Sequence, residues 1–115
     1  MQRLITTYKL WHELLPHVPK DSRYTLGIKI DALLVETFEA VFTASYLPRE
    51  EKLPFVRTAI AKIDLAKFFL RVTWEIRALD EKKYIALSEL FDEIGRQLGG
   101  WMRQITAKTT SAPNK

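Results

Sequence analysis

Between residues 84 and 105 the chain sets Tyr84, Leu87, Phe91, Ile94, Leu98, Trp101 and Ile105 three, four, three, four, three and four residues apart. Steps that alternate between three and four keep side chains on one side of an α-helix, so this run predicts a helix with a long apolar seam. Such a seam has to be covered. The cheapest cover is other helices with seams of their own, and that requirement sets what the rest of the sequence must supply.

It supplies three more segments. Leu4, Tyr8, Trp11 and Leu15 recur at gaps of four, three and four, which predicts a short helix over 2–15 that Pro16 and Pro19 close. A second segment follows Asp21 or Ser22, either of which can accept a hydrogen bond from an unpaired first-turn amide, and runs to Ser45. Its stripe is Leu26, Ile30, Leu33, Leu34, Phe38, Val41 and Phe42. The third begins at Arg49 or Glu50, where Glu50 and Glu51 suit the positive end of the helix dipole, and reaches Leu79. Pro54 is expected in its first turn or so, where a missing N–H matters little. Val56, Ile60, Ile63, Leu70 and Trp74 mark its inward face, widened by Phe68 and Phe69. The fourth starts after Asp80, and no Asn-Gly or Asp-Gly hairpin signal occurs anywhere. The pattern therefore predicts an all-α protein, an antiparallel four-helix bundle over residues 1–108, with 109–115 as a polar, pattern-free flexible tail.

Gly95, Gly99 and Gly100 lie inside the fourth helical pattern, where each costs about 1 kcal/mol relative to Ala. Two explanations stand. Another backbone approaches closely along the face of Ser88, Gly95 and Gly99, within the bundle or between subunits, or glycine is simply tolerated near a helix end.

Several chemistries are excluded or left without residues to perform them. At 115 residues and 47% hydrophobic the chain has material for one core. It has no Cys, which removes disulfides, zinc thiolates and a cysteine nucleophile and predicts a cytoplasmic protein. No apolar run approaches the roughly 20 residues that span a bilayer, so no membrane is expected. His12 and His17 lack the Glu-x-x-His spacing that builds metal sites in bundles. Glu89, Asp92 and Glu93 read as a solvated helix face rather than as catalytic carboxylates. All four glycines belong to helical segments, so there is no phosphate-binding loop and no nucleophile elbow. The expectation is a protein with no catalytic residues, no metal and no cofactor.

Binding remains. The net charge is +4, and it is uneven: residues 47–79 hold seven basic against four acidic side chains, and 96–115 hold four basic and no acidic ones. Lys67 and Arg71 are four apart and share a face, with Arg57, Lys62 and Arg77 along the same segment. A row of cations can grip phosphates, which need positive charge at suitable spacing and no base-edge geometry. The competing reading is that Asp64 and Glu75, three and four residues away, hold these cations in surface pairs worth about 0.3 kcal/mol each.

Three stretches carry a resemblance: 23–31, Arg-Tyr-Thr-Leu-Gly-Ile-Lys-Ile-Asp; 65–71, Leu-Ala-Lys-Phe-Phe-Leu-Arg; and 93–101, Glu-Ile-Gly-Arg-Gln-Leu-Gly-Gly-Trp. Across residues 3–106 the chain resembles the accessory variability determinant (Avd) proteins of diversity-generating retroelements, within the bacterial four-helix bundle group that includes proteins encoded by intervening sequences in 23S ribosomal RNA genes. The resemblance implies a homopentamer around a central pore, with basic surfaces that bind RNA or DNA and dock a reverse transcriptase. Such an accessory subunit performs no chemistry itself while the enzyme copies a template RNA, with errors at adenines, during mutagenic retrohoming. By position in the matching stretches, Lys67 and Arg71 are the first candidates for the basic surface, followed by Lys29; Arg77 joins them from the row of cations on the third segment, and Arg96, beside the glycines, is as well placed for packing. The alternative is an oligomeric four-helix scaffold of the intervening-sequence type that binds protein partners without nucleic acid.

Overall fold

In the computed structural model, residues 2–111 are described, with 108–111 as backbone only. Helix α1 is Gln2–Leu14 and passes through a single 3-10 turn, Leu15–His17. The next rod is continuous but not uniform. It consists of one α turn, α2 (Lys20–Ser22), a π turn at Arg23–Gly27, and α3 (Ile28–Tyr46). Helix α4 is Arg49–Glu75 and α5 is Glu81–Ser111. The described residues form an all-α four-helix bundle, as expected, drawn out to 57 × 21 × 21 Å. None of these helices is long and apolar enough to cross a membrane.

The antiparallel order can be read from ion pairs. Lys62 of α4 meets Glu36 of α3 and Lys67 of α4 meets Asp92 of α5, while Lys52 reaches back to the Ala44 carbonyl at the end of α3. Helix α1 runs against α5, with Arg3 on Glu93. It also touches α3, where Tyr8 Oη and Trp11 Nε1 both donate to Asp31 Oδ1, at 2.7 and 3.1 Å. Because α1 begins level with Glu93, the other three helices extend past it at the end where α3 turns into α4. A small separate cluster of Ala44, Val56 and Ile105 fills that end.

The main core is the predicted seam and its partners. Leu87, Phe91, Ile94 and Leu98 are buried in it and Tyr84 and Trp101 half-buried, while Ile105, the last residue of the seam, is buried in the end cluster. Around them lie Trp11, Ile30, Leu33, Leu34, Ile63 and Leu70. Three threonines are buried as well, and each donates its hydroxyl to the carbonyl four residues earlier in its own helix: Thr7 to Arg3, Thr37 to Leu33 and Thr73 to Phe69. These bonds remove the cost of enclosing a hydroxyl among apolar side chains.

The structure corrects several local expectations. The second segment starts at Lys20, after Pro19, with no side-chain cap; Asp21 instead accepts from the adjacent Ser22 N–H. Pro54 is in the second turn of α4. It is exposed, so the Glu50 carbonyl that it cannot serve can turn to water. Helix α4 stops at Glu75, four residues early. Arg77 takes a left-handed conformation, φ 66°, and the turn closes with Ala78 N–H on Thr73 O and Arg77 N–H on Trp74 O, both 2.9 Å. That pair of bonds is the Schellman ending, which glycine usually makes. Phe42 and Phe68, assigned to inward faces, are both more than half exposed.

The glycines also divide differently. A Cβ on Gly95, Gly99 or Gly100 would meet nothing closer than 3.6 Å, and what it would meet is the tip of Lys67 or Arg103. No close approach inside the bundle explains these three. Gly27 is the tight one: a Cβ there would be 2.9 Å from Leu15 Cδ1, where the π turn passes the 3-10 turn. Arg23 ties the same junction by donating to the Val18 and Pro16 carbonyls. Helix α5 continues to Ser111, and the remainder of the expected tail, 112–115, lies outside the described residues.

Candidate nucleic-acid and partner interface

Helix α4 packs between α3 and α5, so its charged side chains flank two different neighbours. Lys62 leans to α3 and holds Glu36 at 3.0 Å; Lys67 leans to α5 and holds Asp92 at 3.0 Å, with Asp64 of its own helix at 3.9 Å. Arg71 is more exposed and donates from Nε to Glu75 at 2.7 Å. The Glu75 hydrogen bond, and then its charge, push the Arg71 guanidinium above its ordinary value. The row Arg57, Lys62, Lys67, Arg71, Arg77 is therefore not one stripe of free charge. Its middle three members each carry a carboxylate.

Lys29, in the first turn of α3, is exposed and holds no carboxylate among the described residues. Arg77 is likewise exposed, at the turn beyond α4 and away from Lys67 and Arg71. The structure thus separates the four candidates into a tied pair on the bundle's side and two untied cations on other elements.

Further untied cations lie outside those four. Arg57, Arg96 and Arg103 are exposed and hold no carboxylate within 4 Å among the described residues. Arg103 lies back along its own helix, with its guanidinium near the bare turn of Gly99 and Gly100. Near the same end, Lys52 places its ammonium 5.8 Å from the Trp101 ring centre, having also donated to Ala44 O at 2.7 Å. The lack of acidic residues after 95 is the signal in the sequence that points to this region.

Two apolar stripes face outward. On α3, Ile28, Val35 and Phe42 fall seven apart, with Tyr46 four further, and Ile5 of α1 adds to the same side through a shallow groove that it shares with Val35. On α4, Leu65, Phe68 and Ile76 form the second. Both helices therefore carry apolar side chains on two sides, one turned to the core and one turned out. Outward apolar stripes of this length are a mark of contact with another macromolecule.

The turn from α4 into α5 shapes a different feature. Asp80 caps α5 by accepting from Lys83 N–H at 2.9 Å, and its other oxygen meets Lys83 Nζ at 3.1 Å. The Lys83 backbone bond, followed by its side chain, holds the Asp80 carboxyl below the usual carboxylate range. Trp74 stacks flat on Tyr84, with centroids 4.6 Å apart and planes at 1°. Beside them opens a cavity of about 460 Å³, walled by His17, Trp74, Arg77 and Lys83 among others. On the opposite side of the bundle the hydrogen bond to Asp31 raises the Tyr8 hydroxyl above its ordinary value, a consequence of docking α1 and not a poised acid. No group of three or more potential metal ligands occurs among the described residues.

No curated protein and no solved structure matches this sequence. A profile of the bAvd-like family, however, matches residues 1–105, which takes in α1 through most of α5 and all three stretches on which the resemblance rests. The chain belongs to the bAvd-like family.

Proposed function

We propose that this chain is a non-catalytic accessory protein of a diversity-generating retroelement, one that binds template RNA or DNA together with the reverse transcriptase during mutagenic retrohoming in the cytoplasm. The observation that carries the reading is the family match across the whole bundle. Two surface features support it. Arg57, Arg96 and Arg103 offer positive charge that no carboxylate of the described chain neutralises, which is what phosphate binding uses. The α3 and α4 stripes are two different apolar surfaces on one protomer, and a pair of unlike surfaces suits head-to-tail contact between copies, the kind that closes into a ring such as a pentamer.

Lys67, Arg71, Lys29 and Arg77 remain part of the proposed interface in unequal ways. A phosphate reaching Lys67 or Arg71 competes with Asp92 or Glu75, whereas Lys29 and Arg77 are open to it. The outward aromatic residues Phe42, Tyr46 and Phe68 also favour protein contact, which the alternative reading, a scaffold that binds proteins without nucleic acid, shares. Light scattering of the purified chain followed by RNA titration at several salt concentrations separates the two. The accessory role predicts a closed oligomer whose RNA affinity falls steeply with salt. An oligomer that ignores RNA at physiological salt supports the scaffold, and a stable monomer contradicts both.

A further inference from the structure

We propose that the elbow between α4 and α5 seats one unstacked nucleotide of a single-stranded nucleic acid, with the base against Trp74 and the phosphate at Arg77. The proposal rests on the nucleic-acid reading above and gives Arg77 a specific task within it. Several observations converge on it. Arg77 occupies a left-handed backbone position that disfavours any side chain, at a helix ending where glycine would close the same two hydrogen bonds without strain. Strain of this kind is retained where the side chain has a task, and an exposed arginine here gains nothing by packing.

The task is suggested by what stands beside it. Trp74 lines the cavity and Tyr84, stacked flat upon it, does not, so the tyrosine backs the indole and holds its plane. A fixed indole is the platform on which a splayed base stacks, whatever its sequence. The cavity, at about 460 Å³, falls within the roughly 300–1,000 Å³ of small-ligand sites. Its charge balance also fits. Asp80 is engaged twice by Lys83, while Arg77 holds no carboxylate among the described residues, so Glu81 is the other acid on the cavity wall that its charge faces. Buried Ala78 and Leu79 anchor the turn, which keeps Arg77 and Trp74 in a fixed relation. A base paired in a duplex cannot reach this platform, so the seat distinguishes single strands from double.

The test uses the full chain, a labelled ten-nucleotide oligouridylate and a ten-pair RNA duplex, read by fluorescence anisotropy at one salt concentration, with thermal melts alongside. Arg77→Gly is expected to raise Tm, because it relieves the backbone, and to weaken oligouridylate binding on the order of tenfold while leaving the duplex unchanged. Trp74→Leu is expected to weaken the same probe by a similar factor. Arg77→Gly that melts higher yet binds oligouridylate like the parent overturns the seat, as does an equal loss for strand and duplex. If Arg96→Glu/Arg103→Glu abolishes binding while Arg77→Gly and Trp74→Leu do not weaken it, the seat fails and the nucleic-acid reading survives. A parent chain that binds neither probe overturns both.

Discussion

The flank of α4 that faces α5 and the outer side of α5 beyond Asp92 are both basic, yet they differ in kind. On the first, Lys67 and Arg71 have Asp92 and Glu75 at 3.0 and 2.7 Å. On the second, Arg96 and Arg103 have no carboxylate among the described residues. One set of cations serves as struts within the protein, and the other is left for something outside it. The sequence pairs Arg71 with Glu75 and leaves 96–115 without acids, but it does not show the closer partner of Lys67, which comes from a different helix, distant along the chain.

The comparison can be tested most severely by reversing charge. Arg96→Glu/Arg103→Glu is expected to lower affinity for single-stranded RNA at low salt by on the order of a hundredfold, and Lys67→Glu/Arg71→Glu by far less, as measured by anisotropy. Equal losses would erase the distinction. Next in size is the salt dependence. A single strand adds about 0.7 to the slope of log K against log salt for each phosphate that the protein neutralises, so removing both free arginines should flatten that slope by about 1.4. Removing the tied pair should leave it nearly unchanged.

Stability effects are smaller and should run the other way. Gly99→Ala meets no neighbour closer than the Arg103 tip and is expected to stabilise the fold by about 1 kcal/mol in chemical denaturation. If RNA binding falls while stability rises, the bare turn between the two free arginines is itself a contact. Lys67→Ala should cost about 0.5 kcal/mol, since its pair with Asp92 is partly exposed, and Arg96→Ala should cost next to nothing. The smallest effect concerns another tied cation, Lys83. Asp80 has a depressed pKa, so the stability from its cap is present above the ordinary carboxylate range and is lost as pH falls through its folded value. The Tm deficit of Asp80→Ala, visible at neutral pH, should therefore close in acid melts.

The bundle is legible in the sequence because burial on a helix repeats. Leu87, Phe91, Ile94, Leu98 and Ile105 announce their common face by spacing alone, and all five are buried. Spacing fails where a helix has two apolar faces. Phe42 and Phe68 are apolar at helical intervals from core residues, but they belong to the outward stripes, and only the position of the neighbouring helices reveals it. The end of α4 escapes the sequence for a different reason: Arg77 stands in the place where a glycine would have marked the stop. For the interface, the candidate cations are visible in the sequence and their partners across helices are not, since pairing depends on how α4 slides along α5. For Arg103 the signal is the lack of acidic residues after 95, which marks the region and not the residue.

The π turn at Arg23–Gly27 has a consequence for how this protein tolerates changes in length. A π turn holds one more residue than the α-helical path it replaces, so the rod that ends at Tyr46 carries a residue of slack near its start. Deleting one position there would let an ordinary helix run through, at the cost of turning everything upstream by about 100°. Arg23 would swing off the Pro16 and Val18 carbonyls, and Leu15 off Gly27. The angular setting of α1 on the bundle, and with it the Tyr8 and Trp11 bonds to Asp31, is thus fixed by a single surplus amino acid.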